Sequence, residues 1–187
     1  MQYKITPPTH IEDTILLPAS KSISNRALII HALAGGNIMP ENLSTCDDTA
    51  VIARAFKDNP YEIDIMAAGT AMRFMTAYLA VTEGEHVLTG TERMKQRPIK
   101  ILVDALRFLG ADIQYVGEEG FPPLRIKGKR LTGGSIEVAG NVSSQYVSAL
   151  LMIGPTLEKG LELKLLGNVI SRPYIDLTLN VMHEYGA

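Results

Sequence analysis

A chain of 187 residues, 46% of them hydrophobic, carries enough apolar side chain for one large domain or two small ones. Its net charge of -2 gives no global basic field for nucleic acid or an acidic membrane surface, so the positive charge that matters is local. A single cysteine, Cys46, rules out an internal disulfide framework and fits a reducing compartment.

The first ten residues lack the apolar core of a secretory signal, and the apolar run at 149–154 is far too short to span a bilayer. A cytoplasmic protein with neither membrane nor nucleic acid as partner is therefore expected. In chain order, residues 3–6 and 13–17 read as strands, the first stopped by Pro7-Pro8 and the second by Pro18. A helix opened by Ser20 runs to about Leu33 and is ended by Gly35-Gly36. Residues 37–43 read as a short strand, and a helix capped by Asp47, with Asp48 beside it, runs to about Phe56.

The pattern then recurs. Strand 61–66, the small turn Ala67-Ala68-Gly69, helix 70–81 and strand 86–89 come first, followed by the loop TERMKQ. A helix from Pro98 closes at Gly110, with Pro at its first turn and Gly just past its end as is usual. Strands 112–116 and 124–127 complete the unit. A third unit has strand 135–138, helix 143–153, strand 161–165 and a helix from Arg172-Pro173 to Gly186. The pair RPIKILVDALRFLGA and RPYIDLTLNVMHEYGA supports the repeat. Repetition at this scale predicts one α/β domain of three βαβ-type units around a shared core. The third unit lacks the strand that follows the second unit's helix, so a truncated protein is expected.

Each unit leads a small or polar turn into a helix N-terminus: Ser20-Lys21-Ser22, Ala68-Gly69-Thr70 and Ser143-Ser144-Gln145. Pseudo-threefold symmetry would bring these ends to one rim, whose free N–H groups and partial positive charge suit phosphate or carboxylate. Ser22 and Arg26 share a helix face, with Lys21 at its edge. A Ser-capped helix with a charged first turn is the plain alternative, though cations at a positive helix end are unfavourable.

Arg97 ends a loop with Arg93 and Lys95 that is either an anion clamp or a solvated basic turn. Arg73 is an anion ligand or, the reading favoured here, a bridge between units. Ser171 is an N-cap or a ligand contact, with Tyr174 beyond Arg172-Pro173. Asp47-Asp48 and Glu118-Glu119 are expected away from the rim, as helix cap and hairpin-turn charges, leaving no acid/base dyad. Cys46 reads as an incidental thiol rather than a nucleophile. His10, His31, His86 and His183 are scattered without metal spacing, and there is no P-loop or dinucleotide fingerprint.

The segments LPASKSISNRALI, AAGTAMRF, LTGTERMKQRPI, GNVSSQY and ISRPYIDLT occur in this order. Together they resemble the 5-enolpyruvylshikimate-3-phosphate synthase family from about Pro7 onward. The resemblance implies an α/β fold of pseudo-threefold domains built from βαβαββ units, an inside-out α/β barrel, with the active site between two domains. The chain is similar to the N-terminal half. Residues 1–16 would belong to the other domain, and 17–187 would form the N-terminal domain with its third unit incomplete. The implied reaction joins phosphoenolpyruvate to the 5-hydroxyl of shikimate 3-phosphate and releases phosphate, without metal or organic cofactor.

Carried over by motif, Lys21 is the catalytic candidate and touches both substrates. Ser22, Arg26, Ser143, Ser144, Gln145, Ser171 and Tyr174 would hold shikimate 3-phosphate, with Arg26 on the carboxylate. Gly69 and Arg97, again with Gln145 and Lys21, would hold phosphoenolpyruvate. The partners implied are these two small molecules and the missing C-terminal domain, in a monomer. One departure is Ala67, where the family usually has Asn. The related transferase acting on UDP-N-acetylglucosamine would want a cysteine in the loop TERMKQR, which has none. A non-catalytic module that captures a phosphorylated metabolite and a structural piece of a larger multienzyme chain are the remaining alternatives.

Overall fold

A computed structural model describes residues 2–187. Three helices lie largely inside, α1 (Lys21–Leu33), α3 (Gly69–Val81) and α6 (Ser144–Ile153); α3 and α6 are apolar nearly all round, whereas α1 also buries Ser24, Asn25 and Arg26. Only Tyr78 and Val81 of α3 escape burial, as expected of a helix with no polar face. Helices α2 (Asp47–Asp58), α5 (Lys100–Phe108) and α7 (Arg172–Glu184) are amphipathic and pack around them, and α4 (Glu92–Lys95) is a single turn. The strands are β1 (Glu62–Asp64), β2 (Gly84–Thr89), β3 (Asp112–Tyr115), β4 (Leu124–Gly128), β5 (Gly134–Ala139) and β6 (Leu161–Leu166).

The second unit is complete. Its sheet has the order β1-β2-β4-β3, with β1 parallel to β2 and both other pairings antiparallel. Leu88, Ile113, Leu124 and Ile126 turn inward onto α3, while Glu85, Gln114, Arg125 and Lys127 line the outer face. This alternation follows from the two-residue period of a strand. A Cβ at Gly128 would collide with the carbonyl oxygens of Leu79 and Thr82, so a glycine lets β4 close onto the last turn of α3. The third unit pairs β5 with β6 in parallel, from Gly134↔Leu161 to Ala139↔Leu166.

The first unit differs from the reading of its sequence. Residues 3–6, 13–17 and 37–43 form no strand, and Ile5, Ile11, Ile15, Leu16, Leu17 and Ile38 are exposed. None of these segments pairs with an edge of either sheet, and an unpaired strand does not persist in water. After α2, residues 59–61 lead straight into β1, where the second unit has the β3–β4 hairpin after α5. The cap of α2 is also corrected: Cys46 holds that position without a side-chain cap bond, and Asp47 and Asp48 occupy the first turn. The TERMKQ loop contains α4.

Candidate functional site: a basic rim at the helix N-termini

Arg26, in the second turn of α1, fixes the relation of the inner helices. Its Cζ lies 5.3 Å from the ring centroid of Phe74, in the second turn of α3. Its Nη2 donates to Ser148 Oγ (2.9 Å), in the second turn of α6. These contacts lie within the first two turns of α1, α3 and α6, so the N-terminal ends of the three helices, with their free N–H groups, lie near one another. Gln145 Nε2 donates to Thr70 Oγ1 (3.2 Å), tying the α6 and α3 ends together. The amide of Ile170 donates to Gly140 O (3.1 Å) and that of Gly140 to Leu166 O (2.7 Å), so the loops feeding Ser143 and Ser171 lie side by side.

On α1, Ser20 caps the helix by accepting from the Ile23 amide (3.4 Å). Lys21 is half-exposed, with Nζ 3.6 Å from Asp48 Oδ1. The expectation that Asp47-Asp48 sits away from the rim is therefore corrected: packing of α2 on α1 brings Asp48 to Lys21. The backbone carbonyl of Ser22 accepts from Arg26 Nη1 (2.8 Å).

Arg26 itself is 2% exposed. Beyond Ser148 and Ser22 it donates from Nε to Thr178 Oγ1 (2.7 Å) and from Nη2 to Tyr174 O (3.3 Å). None of these partners is a carboxylate, and a single N–H on Nη1 is left over. Burial pulls its pKa down to about 10, with Tyr174 opposing. Arg26 thus ties α1, α6 and α7 together beneath the rim.

Ser143 caps α6, its Oγ accepting from the Gln145 amide (3.3 Å), and Ser144 is buried in the first turn. Ser171 stands at the α7 cap position in the left-handed region (φ 55°) and makes no side-chain cap bond. The capping alternative for its hydroxyl therefore falls away. Tyr174 is half-exposed, and its ring centroid lies 6.0 Å from Arg26 Cζ.

At the α3 end, the Arg97 guanidinium lies directly over Gly69: a Cβ there would come within 2.7 Å of Arg97 Cζ and Nη2. Arg97 and Arg93 line a cavity of about 440 Å³ with Ala67 and Met94. Neither guanidinium has an acidic partner among the described residues. Arg73 is the expected bridge. It is buried and donates from Nη1 to Gly69 O (3.1 Å) and from Nη2 to Pro98 O (3.0 Å), and Tyr146 Oη donates to the same carbonyl (2.8 Å). Burial lowers the pKa of Arg73, with Tyr146 opposing. The peptide after Arg97 is thereby held against both α3 and α6.

The rim thus gathers Lys21, Ser22, Ser143, Ser144, Gln145, Ser171 and Tyr174 around the ends of α1, α6 and α7, with Gly69 and Arg97 beside them. Sequence reasoning missed Asp48, and it missed Ser148 and Thr178 as the partners of Arg26. A hydroxyl in each otherwise apolar inner face was the available signal. Chemically, the arrangement suits a ligand with more than one anionic group. A separate cavity of about 580 Å³ between α5 and β5 is lined by Ile101, Phe108, Val138 and the acids Asp104 and Glu137, a poor match for an anion. No group of three or more His, Cys, Asp or Glu among the described residues is placed to hold a metal ion.

The family model for EPSP synthase (3-phosphoshikimate 1-carboxyvinyltransferase) matches residues 5–58 and 55–187. A 3-phosphoshikimate 1-carboxyvinyltransferase of Bacteroides fragilis is 64% identical over 187 residues, covering 100% of this chain and 46% of its own length. One from Colwellia psychrerythraea is 41% identical over 210 aligned positions, covering 98% and 49%. The second alignment is longer than the chain, so that relative carries residues without a counterpart here. The chain spans about half the length of the curated relatives it matches. An EPSP synthase structure from Acinetobacter baumannii superposes with a TM-score of 0.65 at 24% identity, over 76% of this chain and 38% of that one. This likeness concerns the fold. No helix among the described residues is long and apolar enough to cross a membrane.

Proposed function

Because the chain belongs to the EPSP synthase family, we propose that it supplies the substrate-binding rim of a 3-phosphoshikimate 1-carboxyvinyltransferase. The observation that carries this reading is the Arg97 guanidinium, free of acidic partners, lying on Gly69 beside three clustered helix N-termini. Ser143, Ser144 and Ser171 bind the 3-phosphate of shikimate 3-phosphate, with Tyr174 lining that pocket. Ser22 and the one unspent N–H of Arg26 take its carboxylate. Arg97, with the open backbone at Gly69, takes phosphoenolpyruvate, and Gln145 lies where the two substrates meet.

In the reaction the 5-hydroxyl adds to the enolpyruvyl carbon, and the resulting tetrahedral intermediate expels phosphate. Lys21 stabilises the charge that builds there. Asp48 holds Lys21 until an anion competes for it, since a half-exposed pair at 3.6 Å is weak. The groups that move protons come from the part of the relatives that this chain does not span. Residues 2–16, whose Ile5, Ile11, Ile15 and Leu16 are exposed, pair with the second domain of the whole enzyme.

The test is a calorimetric titration of the 187-residue chain with shikimate 3-phosphate, followed by phosphoenolpyruvate with phosphate release measured. Saturable binding that is lost in Ser171→Ala, with no phosphate release, supports the reading. Release of phosphate by this chain alone would overturn the assignment of proton transfer elsewhere. Binding unaffected by Ser171→Ala would overturn the assignment of the 3-phosphate.

A further inference from the structure

The cavity of about 440 Å³ beside Gly69 is lined by four residues, Ala67, Arg93, Met94 and Arg97. That volume lies within the roughly 300–1,000 Å³ of small-molecule sites. Neither Ala67 nor Met94 carries a charge, so two guanidinium groups are what the lining side chains set against an anion. No carboxylate lines it, in contrast to the cavity between α5 and β5 with its two acids. Glu92, in the same turn as Arg93, is engaged by Lys95 Nζ (2.8 Å), and Asp64 Oδ1 accepts from the Met66 amide (2.7 Å). The Arg93 side chain is exposed and has neither a hydrogen-bond nor an ion-pair partner among the described residues. Two like charges on one cavity repel each other until an anion lies between them.

The turn that carries Arg93 is itself firmly held. Met94 is fully buried, with its Sδ 4.0 Å from Arg73 Nη1. The Thr91 amide donates to Met66 O (3.0 Å), and the Arg97 amide donates to Met94 O (2.9 Å). A Cβ at Gly90 would strike Met66 O, so a glycine lets this loop lie on the turn before α3. The backbone between the two arginines is thus set in advance, and a ligand orders side chains without having to order a loop.

We propose that Arg93 is a specificity-determining residue of the anion seat, meeting the anionic group of the ligand that Arg97 does not. The ligand class is a small organic molecule with two separated anionic groups. One group sits on Arg97 and the open backbone at Gly69, and the other on Arg93 at the solvent side of the same cavity. This rests on the anion seat described under the proposed function and adds a second cationic contact to it.

The experiment compares phosphoenolpyruvate, which has two anionic groups, with inorganic phosphate, which has one, by titration into the 187-residue chain and its variants. Arg93→Gln is expected to weaken phosphoenolpyruvate about tenfold and phosphate less than about twofold, the loss of one charge-assisted contact at an exposed position. Lys57→Gln, which removes an exposed charge from α2, controls for the general field and should leave both ligands within about twofold. Phosphoenolpyruvate affinity unchanged in Arg93→Gln but lost in Arg97→Gln overturns the proposal and leaves the seat standing. If neither variant alters it, or if the parent chain binds no phosphoenolpyruvate, the seat falls as well. Equal loss for both ligands in Arg93→Gln also overturns the proposal, since Arg93 would then act as bulk charge or share a single anionic group with Arg97. Because the Arg93 side chain bonds to nothing in the fold, Arg93→Gln should melt where the parent does. A lowered melting temperature would overturn the proposal by showing that the side chain serves the fold.

Discussion

Replacing Gly69 by alanine tests the anion seat most directly. The new Cβ would enter the space of the Arg97 guanidinium, 2.7 Å from its Cζ. The obstructing atoms are the far end of a flexible side chain, so Arg97 swings away and the backbone stays. Its bond to the ligand is charge-assisted, worth roughly 1.5–3 kcal/mol. At 1.4 kcal/mol per decade this corresponds to a loss of roughly 10- to 150-fold in phosphoenolpyruvate affinity. Stability moves little, because alanine in place of a helical glycine gains up to about 1 kcal/mol and the displaced arginine returns part of it. In a chain of this size that is a melting shift of only about 2–4 °C. The assay is a paired titration and thermal melt of parent and Gly69→Ala. Unchanged affinity would refute the contact between Arg97 and the ligand, and a collapse in melting temperature would refute the claim that only a side chain gives way.

Arg26→Ala should cost roughly 2–4 kcal/mol, because it deletes four hydrogen bonds and leaves a cavity among α1, α6 and α7, while Ser148 and Thr178 keep their bond to each other and Thr178 its bond to Tyr174 O. A urea midpoint equal to the parent's would show that the guanidinium is not part of the core. For Cys46, burial raises the thiol pKa but the Ser44 and Thr49 hydroxyls and the Thr49 amide outweigh it, leaving it below the usual thiol value. Thr49→Val removes one of those hydroxyls, so the pH midpoint of alkylation by iodoacetamide should move upward. An unmoved midpoint would mean that the Sγ–Oγ1 contact at 3.3 Å does no work on the thiol.

Helix α3, the second unit's strands and the Arg172–Glu184 helix were legible because each carries its own period and punctuation. Pro98 and Gly110 bracket α5, and the glycines at 69 and 84 bound α3. The strands at 3–6, 13–17 and 37–43 were misread for a physical reason: local composition says that a segment suits a sheet, not that the fold places it against one. The site divides the same way. Motif positions such as Ser143, Ser171 and Arg97 stand at helix ends, where local sequence announces them. Asp48 reached Lys21 only through the packing of α2 on α1, which no local pattern encodes. The structural role of Arg26 was not legible, because its partners on α6 and α7 lie 122 to 152 residues away, although Leu28, Ile29 and Ile30 on successive faces already marked α1 as an inner helix.

The bare first unit makes the three repeats unequal in how firmly they are held. Helix α3 is backed by a four-stranded ladder, whereas α1 is backed by α2 and the two loops around it. Opening α3 means breaking a sheet, but lifting α2 off α1 breaks side-chain contacts and the Lys21–Asp48 pair. Opening is therefore easier at the seam where α2 meets the first turn of α1, beside Lys21 and Ser22, than at α3, while the rest of α1 stays tied to α6 and α7 through Arg26. On the proposed function, a ligand gripping those two residues would close that seam, so that occupancy of the rim and rigidity of the first unit would rise together.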